Sequence, residues 1–303
     1  MSRATLGPVR AFVTLAVVVL AGCGGSSTII TGAGGGSGTG GGVGGGAAGG
    51  SATGGGNGTG GGAAGGDPSG CPDDAKTVYV IDMDRRFSAF DPRLKTFRDI
   101  GTLNCPAGIG AVPFSMAVAR DAFAYVLYDN GALFKVSTMD LACTRTAFAT
   151  DATYGLFGMG FSTDAVGGTT DTLFIAGGPT VQPMSRLGRL DVGSFQPTPL
   201  VDLPGWPELT GTGDAKLWGF FPVTSGGGAP FVSRIDKTTG ALGPNFPAPS
   251  LAGAPNTWAF AFWGGSFWIF YKRDSDLSTN VWEMKASDGT IAPALMDTGR
   301  SIV

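Results

Sequence analysis

The 303-residue sequence contains no histidine. That removes Ser-His-Asp and Cys-His nucleophile systems, histidine metal sites and histidine acid–base work. Only two glutamates occur, Glu208 and Glu283. Charge is sparse, 14% of residues, and Asp, Glu, Lys and Arg are all missing between Arg10 and Asp67. The formal net charge of −3 argues against a nucleic-acid partner, which favours a basic face. Cys-x-x-Cys is absent, and nothing points to a metal or an organic cofactor. No apolar run reaches the ~20 residues of a comfortable membrane span. No stretch after the N-terminal segment shows a sustained helical period with caps.

What is abundant is glycine, 54 residues, of which 25 fall in 24–70. Most of the rest of that segment is Ala, Ser and Thr. With almost no side chain to bury, it cannot offset the entropy of ordering and reads as a disordered, flexible coil. Its r.m.s. span is roughly 35–40 Å.

Ahead of it, Arg3 and Arg10 precede a short apolar run, Ala11 to Gly22, that ends in Leu20-Ala21-Gly22-Cys23. This resembles the lipobox of bacterial lipoproteins. The resemblance implies a signal peptide over 1–22, acylation of Cys23 as the membrane-lipid anchor, and a linker over 23–70. Gly rather than Asp at position 24 implies the outer membrane by the same resemblance. Several acyl chains on one residue anchor firmly, at ~0.8 kcal/mol per buried CH₂. Without Arg3 and Arg10, the chain carries 18 basic and 23 acidic residues, or −5.

The remaining part, 71–303, carries a five-fold pattern of strand, turn and strand. It appears as Phe87-Ser-Ala-Phe90-Asp91, Leu133-Phe-Lys-Val136-Ser137, Leu187-Gly-Arg-Leu190-Asp191, Val232-Ser-Arg-Ile235-Asp236 and Val281-Trp-Glu-Met284-Lys285. The fourth-position residues Phe90, Val136, Leu190, Ile235 and Met284 lie 46, 54, 45 and 49 apart. That spacing suits a four-stranded propeller blade. Asp129-Asn130-Gly131 and Gly264-Gly265 read as tight hairpin turns between further alternating strands. The first repeat opens at Thr77-Val-Tyr-Val-Ile81, which matches the second strand of the others, while Thr298 to Val303 starts a new strand. The expectation is an all-β fold: one propeller of five four-stranded blades, the first blade split and completed by the C-terminal segment. A β-sandwich and a six-bladed ring remain as alternatives.

Cysteines stand at 23, 71, 105 and 143. With Cys23 assigned to lipid, three remain in an oxidising compartment. A Cys105–Cys143 disulfide is expected if Cys71 pairs with a cysteine beyond Val303. Against it, Cys105 follows an outer strand and Cys143 opens the next one, which places them at opposite ends of a sheet.

The whole layout, with Phe157-Gly-Met-Gly-Phe-Ser-Thr-Asp164 and Leu217-Trp-Gly-Phe-Phe221, resembles a group of envelope lipoproteins from large-genome Gram-negative bacteria. Those have a lipobox, a Gly-rich tether and a β-propeller. The resemblance implies a chain that continues a little past Ile302; the group supplies no activity.

Chemistry is thinly signalled. By resemblance, five-bladed propellers include glycosidases with acidic residues in the central funnel, and that reaction needs two carboxyl groups at a set separation. Glu208 and Asp214 are the candidate pair, on or beside an inner strand; the plainer reading is a solvated strand end and a turn aspartate. Gly211-Thr-Gly213-Asp-Ala-Lys216 is too short for a phosphate loop. Asp274-Ser-Asp276-Leu-Ser278-Thr-Asn280 alternates oxygen ligands, but Thr279 and Lys285 stand where a calcium loop needs glycine and an acid. The tryptophans read as core packing, with Trp206 the best candidate for an exposed ring. Three functions fit: a lipid-anchored envelope module binding a protein or glycan partner, a glycan-acting hydrolase, or a passive surface coat.

Overall fold

The computed structural model describes residues 77–179, 183–223 and 228–303. The expected signal peptide and tether, with Cys23 and Cys71, lie outside them. The described chain is a five-bladed β-propeller. Blade 1 holds β1 (Val78–Ile81), β2 (Arg86–Asp91) and β3 (Thr96–Thr102). Blade 2 holds β4 (Pro113–Val118), β5 (Phe123–Tyr128), β6 (Leu133–Ser137) and β7 (Cys143–Arg145). Blade 3 holds β8 (Leu156–Thr163), β9 (Asp171–Gly178), β10 (Met184–Leu190) and β11 (Pro197–Pro204). Blade 4 holds β12 (Glu208–Gly211), β13 (Leu217–Phe221), β14 (Phe231–Ile235) and β15 (Leu242–Pro247). Blade 5 holds β16 (Pro255–Trp263), β17 (Ser266–Arg273), β18 (Asn280–Lys285) and β19 (Ile291–Leu295). All neighbouring strands within a blade are antiparallel.

The sequence repeat is one turn used five times. The residue after the fourth position accepts, through its carbonyl, a bond from the amide four residues on. The donors are Lys95, Leu141, Phe195, Gly240 and Gly289. Each of those five has positive φ, between 55° and 74°. In blades 1, 3 and 4 the carboxylate of Asp91, Asp191 or Asp236 also caps two amides of its own turn. Ser137 does this in blade 2 with its hydroxyl. Lys285 cannot accept, and that turn instead ends on Gly289.

Burial falls from the axis outwards. Strands facing two neighbouring blades bury both faces, as in β13, where Leu217 to Phe221 are all buried. Outermost strands such as β3 are largely exposed. Prolines 197, 199 and 204 therefore sit in β11, and 244 and 247 in β15, where an edge strand needs no further ladder partner. Between blades the filling is aromatic. Phe90 meets Trp268 and Phe270 across the join of blades 1 and 5, and Phe220 meets Phe260 and Tyr271 between blades 4 and 5.

Ring closure is as the repeat implied. Ile302 bridges Asp82 antiparallel to β1. The Met83 amide donates to the Ser301 carbonyl, and the Val303 amide to that of Ile81. Cys105 and Cys143 form a disulfide, with Cα atoms 5.3 Å apart. The bond ties the chain between blades 1 and 2 to the outer strand of blade 2, so the two cysteines lie at one end of the sheet.

Candidate functional site

The structure separates the two candidate carboxylates. Glu208 opens β12, and Asp214 lies in the hairpin beyond its other end, past about 10 Å of extended chain at ~3.3 Å per residue. Asp214 is a turn aspartate. It accepts from the Thr212 hydroxyl and pairs with the Lys216 ammonium. Burial raises its pKa, but Lys216 and Thr212 outweigh that and leave it lowered. Glu283, on β18, accepts from the Ser266 hydroxyl at 2.8 Å.

Glu208 is not a solvated strand end. It is fully buried, and neither carboxyl oxygen has a hydrogen-bond partner. Burial pushes its pKa well above the usual carboxylate value. The Leu209 amide approaches the carboxyl without meeting hydrogen-bond geometry and offsets little of this.

Its surroundings follow from register. Val118, Phe161, Gly211 and Phe262 occupy one level of the four inner strands, since each aligns through the second strand with a repeat residue of its blade. One residue back lie Ala117, Gly160, Thr210 and Ala261. Three back lie Ser115, Gly158, Glu208 and Ala259. These two levels share a face and are built of small residues, apart from Glu208. The glycines are there because β8 and β12 nearly touch. A Cβ on Gly160 would lie 2.6 Å from the Leu209 carbonyl oxygen, and one on Gly158 2.5 Å from that of Pro207. The same Gly158 position lies 2.7 Å from Glu208 Oε2. Glu208 stands on the blade-5 side of β12 yet its carboxyl rests on blade 3, so the side chain turns towards the ring axis.

A second site opens between the β2–β3 turn of blade 1 and the β16–β17 hairpin of blade 5. A cleft of about 320 Å³ is lined by Trp263, Arg93, Leu94, Thr96, Arg98 and Thr77, among others. Trp263 ends β16 at the Gly264-Gly265 hairpin, and Arg93 lies over its ring at 5.9 Å. Arg93 also pairs with Asp91 at 3.5 Å. Arg98 is exposed and has no ion-pair partner among the described residues.

Trp206 is corrected by the structure: it is fully buried, and its indole N–H donates to the Met184 carbonyl at 3.2 Å. The Gly-Trp-Pro loop crosses from blade 3 to blade 4 and lays the ring into the core. Trp218, Trp258, Trp268 and Trp282 are buried too. In the loop that alternates oxygens, Asp276 is held by the Arg273 guanidinium at 2.9 and 3.0 Å, Asp274 by the Asn256 amide, and Ser278 by Asp297.

Sequence reasoning missed the cleft, whose two walls, Trp263 and Arg98, lie 165 residues apart. It also missed the level that Glu208 shares with Ser115. Aligning the inner strands on the repeat brings that level out.

No protein-family model and no curated protein matches the sequence. Two solved structures are similar in outline. One is TolB from Acinetobacter baumannii, with TM-score 0.43 and 11% identity over 73% of this chain and 52% of that one. Another is a chain of a mitotic checkpoint complex, with TM-score 0.38 and 12% identity over 71% of this chain and 61% of that one. This chain therefore matches only about half of the TolB chain's length.

Proposed function

We propose that the chain is a lipid-anchored envelope protein whose propeller presents the Trp263–Arg98 cleft to an acidic glycan. The observation that carries the reading is Arg98: a guanidinium with no ion-pair partner among the described residues, beside an indole and a second arginine. Guanidinium forks match carboxylates in shape and charge, and an aromatic wall suits the apolar face of a sugar ring. Leu20 to Cys23 and the Gly-rich segment support the anchor. The first described residue, Thr77, stands on the cleft wall. The glycan-hydrolase reading gains no such support, because Glu208 is buried and Asp214 lies at the far end of β12.

Two experiments test this. In the producing cell, the protein should fractionate with membranes and its Cys23→Ser form should not; a soluble wild type ends the anchored reading. In solution, the ring should bind a uronic-acid polysaccharide and ignore a neutral one of equal length. Arg98→Ala and Trp263→Ala should each weaken binding about tenfold, the scale of one charge-assisted contact. Binding that neither substitution changes removes the cleft from the account.

A further inference from the structure

Among the described residues, Glu208 alone has a carboxyl group that is wholly buried and unbonded at both oxygens. Asp82, the other deeply buried acid, is helped by Arg86. One of its oxygens accepts from the Arg86 amide at 2.9 Å, and the other lies 3.6 Å from the Arg86 guanidinium. Glu208 has no comparable neighbour.

The elements around it supply no charge. Of the strands packed against β12, β8, β13 and β16 contain no acidic, basic or tyrosine residue. A fourth, β9, contains one, Asp171, at the end of the strand remote from the Gly158 level, where Arg120 holds it at 2.6 Å. The connection Pro204-Gly-Trp-Pro207 adds none. Across its own hairpin Glu208 aligns with Phe220. Towards β8 there is no room for a hydration shell. A Cβ on Gly158 would already lie 2.7 Å from Oε2 and 2.9 Å from the carboxyl carbon.

An ionised carboxylate in this place would have no water, no donor and no counter-charge, whereas a neutral carboxylic acid carries a far smaller desolvation cost. We propose that the folded ring carries Glu208 as the neutral acid, and that loss of its proton to solvent parts β12 from β8. The join of blades 3 and 4 is then a base-sensitive seam. Burial raises the folded pKa above the ~4.3 of an unfolded glutamate. The stability linked to this proton is therefore full below the unfolded value, and it is lost as pH rises through the folded one. This inference is independent of the cleft and of the anchor.

The test uses the full chain and its Glu208→Gln form, which keeps the shape and cannot ionise. At neutral pH the infrared spectrum of the wild type should contain the carbonyl stretch of a protonated carboxylic acid, and the variant should lack it. In urea unfolding, the folding constant of the wild type relative to the variant should fall about tenfold per pH unit above ~4.3, the slope of one linked proton, until the folded pKa is passed. Amide hydrogen exchange locates the seam, with the blade-1 strands of the same molecule as reference. As pH rises, β8 and β12 should lose protection ahead of blade 1 in the wild type and keep pace with it in the variant. If the glutamine form does not fold, Glu208→Leu, which is apolar and cannot ionise, takes its place. A wild type without the infrared band, or a band that the variant retains, overturns the proposal. So does a folding ratio that ignores pH, or protection lost equally by all blades.

Discussion

The Arg300 guanidinium lies 2.6 Å from the Asp99 carboxylate, across 201 residues of sequence. It also donates to the Ser88 hydroxyl at 3.1 Å and lies over the Phe97 ring at 4.9 Å. Three blade-1 groups thus hold the segment that completes blade 1. Arg300 is well covered, with 11% of its side chain exposed, whereas Asp99 is half exposed. We expect Arg300→Ala to cost about 1–2 kcal/mol, mostly through Ser88 and Phe97, and Asp99→Asn less than about 1 kcal/mol. Urea unfolding measures both. Unchanged stability in Arg300→Ala would leave ring closure to the backbone bonds of Ser301 to Val303 alone.

The disulfide closes a loop of 38 residues. In the chain-entropy model such a loop contributes roughly 3–4 kcal/mol. Cys105→Ala with Cys143→Ala should lower the urea midpoint accordingly. Adding reductant to the wild type should reproduce the double variant, and to the double variant should do nothing.

Gly158 and Gly160 are packing residues, not hinges. A methyl at Gly158 meets the Pro207 carbonyl oxygen at 2.5 Å and one at Gly160 that of Leu209 at 2.6 Å, and backbone does not swing aside as a side chain does. Gly160→Ala should cost about 1–3 kcal/mol, the usual range for overpacking. Gly193→Ala is the control, since its nearest neighbour is the Asp191 carboxylate at 3.4 Å. Thermal melts of the two should separate clearly.

Acid should loosen the turns. Asp191 is held below the ordinary carboxylate value chiefly by the Ser194 amide, and Asp236 chiefly by the Thr239 amide. Their folded pKa values lie below the unfolded ~3.9, so the stability they add is full above that value and disappears as pH falls through the folded pKa. Asp236→Asn keeps an acceptor for the two amides and removes the charge. Its stability should vary less with pH below about 4 than that of wild type. Parallel pH profiles would show that the turn charge is not felt in folding.

Much of the architecture was legible because it repeats. Phe90, Val136, Leu190, Ile235 and Met284 sit at equivalent points of five blades, and the turn after each needs an acceptor and a residue tolerating positive φ. Those are local demands, so they leave local marks such as Asp91, Asp191, Asp236, Gly240 and Gly289. The split blade was legible for the same reason: Thr77 to Ile81 fits the second strand only. The candidate site was not legible in this way. Glu208 looked exposed because Gly205-Trp206-Pro207 before it resembles a surface loop. What decides its burial is β8, fifty residues earlier, whose glycines let β12 come close. Trp206 was misread through the same loop. Arg98 belongs to an outer strand that alternates poorly, and its neighbour in space comes from blade 5.

The bridge between Asp82 and Ile302 spans 220 residues and sets an order of events. Blades 2 to 5 are each made of consecutive hairpins and need only short loops to close. Blade 1 cannot be finished until Ser301 to Val303 arrive, and of the pairings among the described residues this one closes the longest loop. Folding should therefore run from the later blades to the first, with β1 holding an unpaired edge for longest. During that interval the edge is open to strands of other chains, which makes the first blade the place where this protein is most exposed to misassembly.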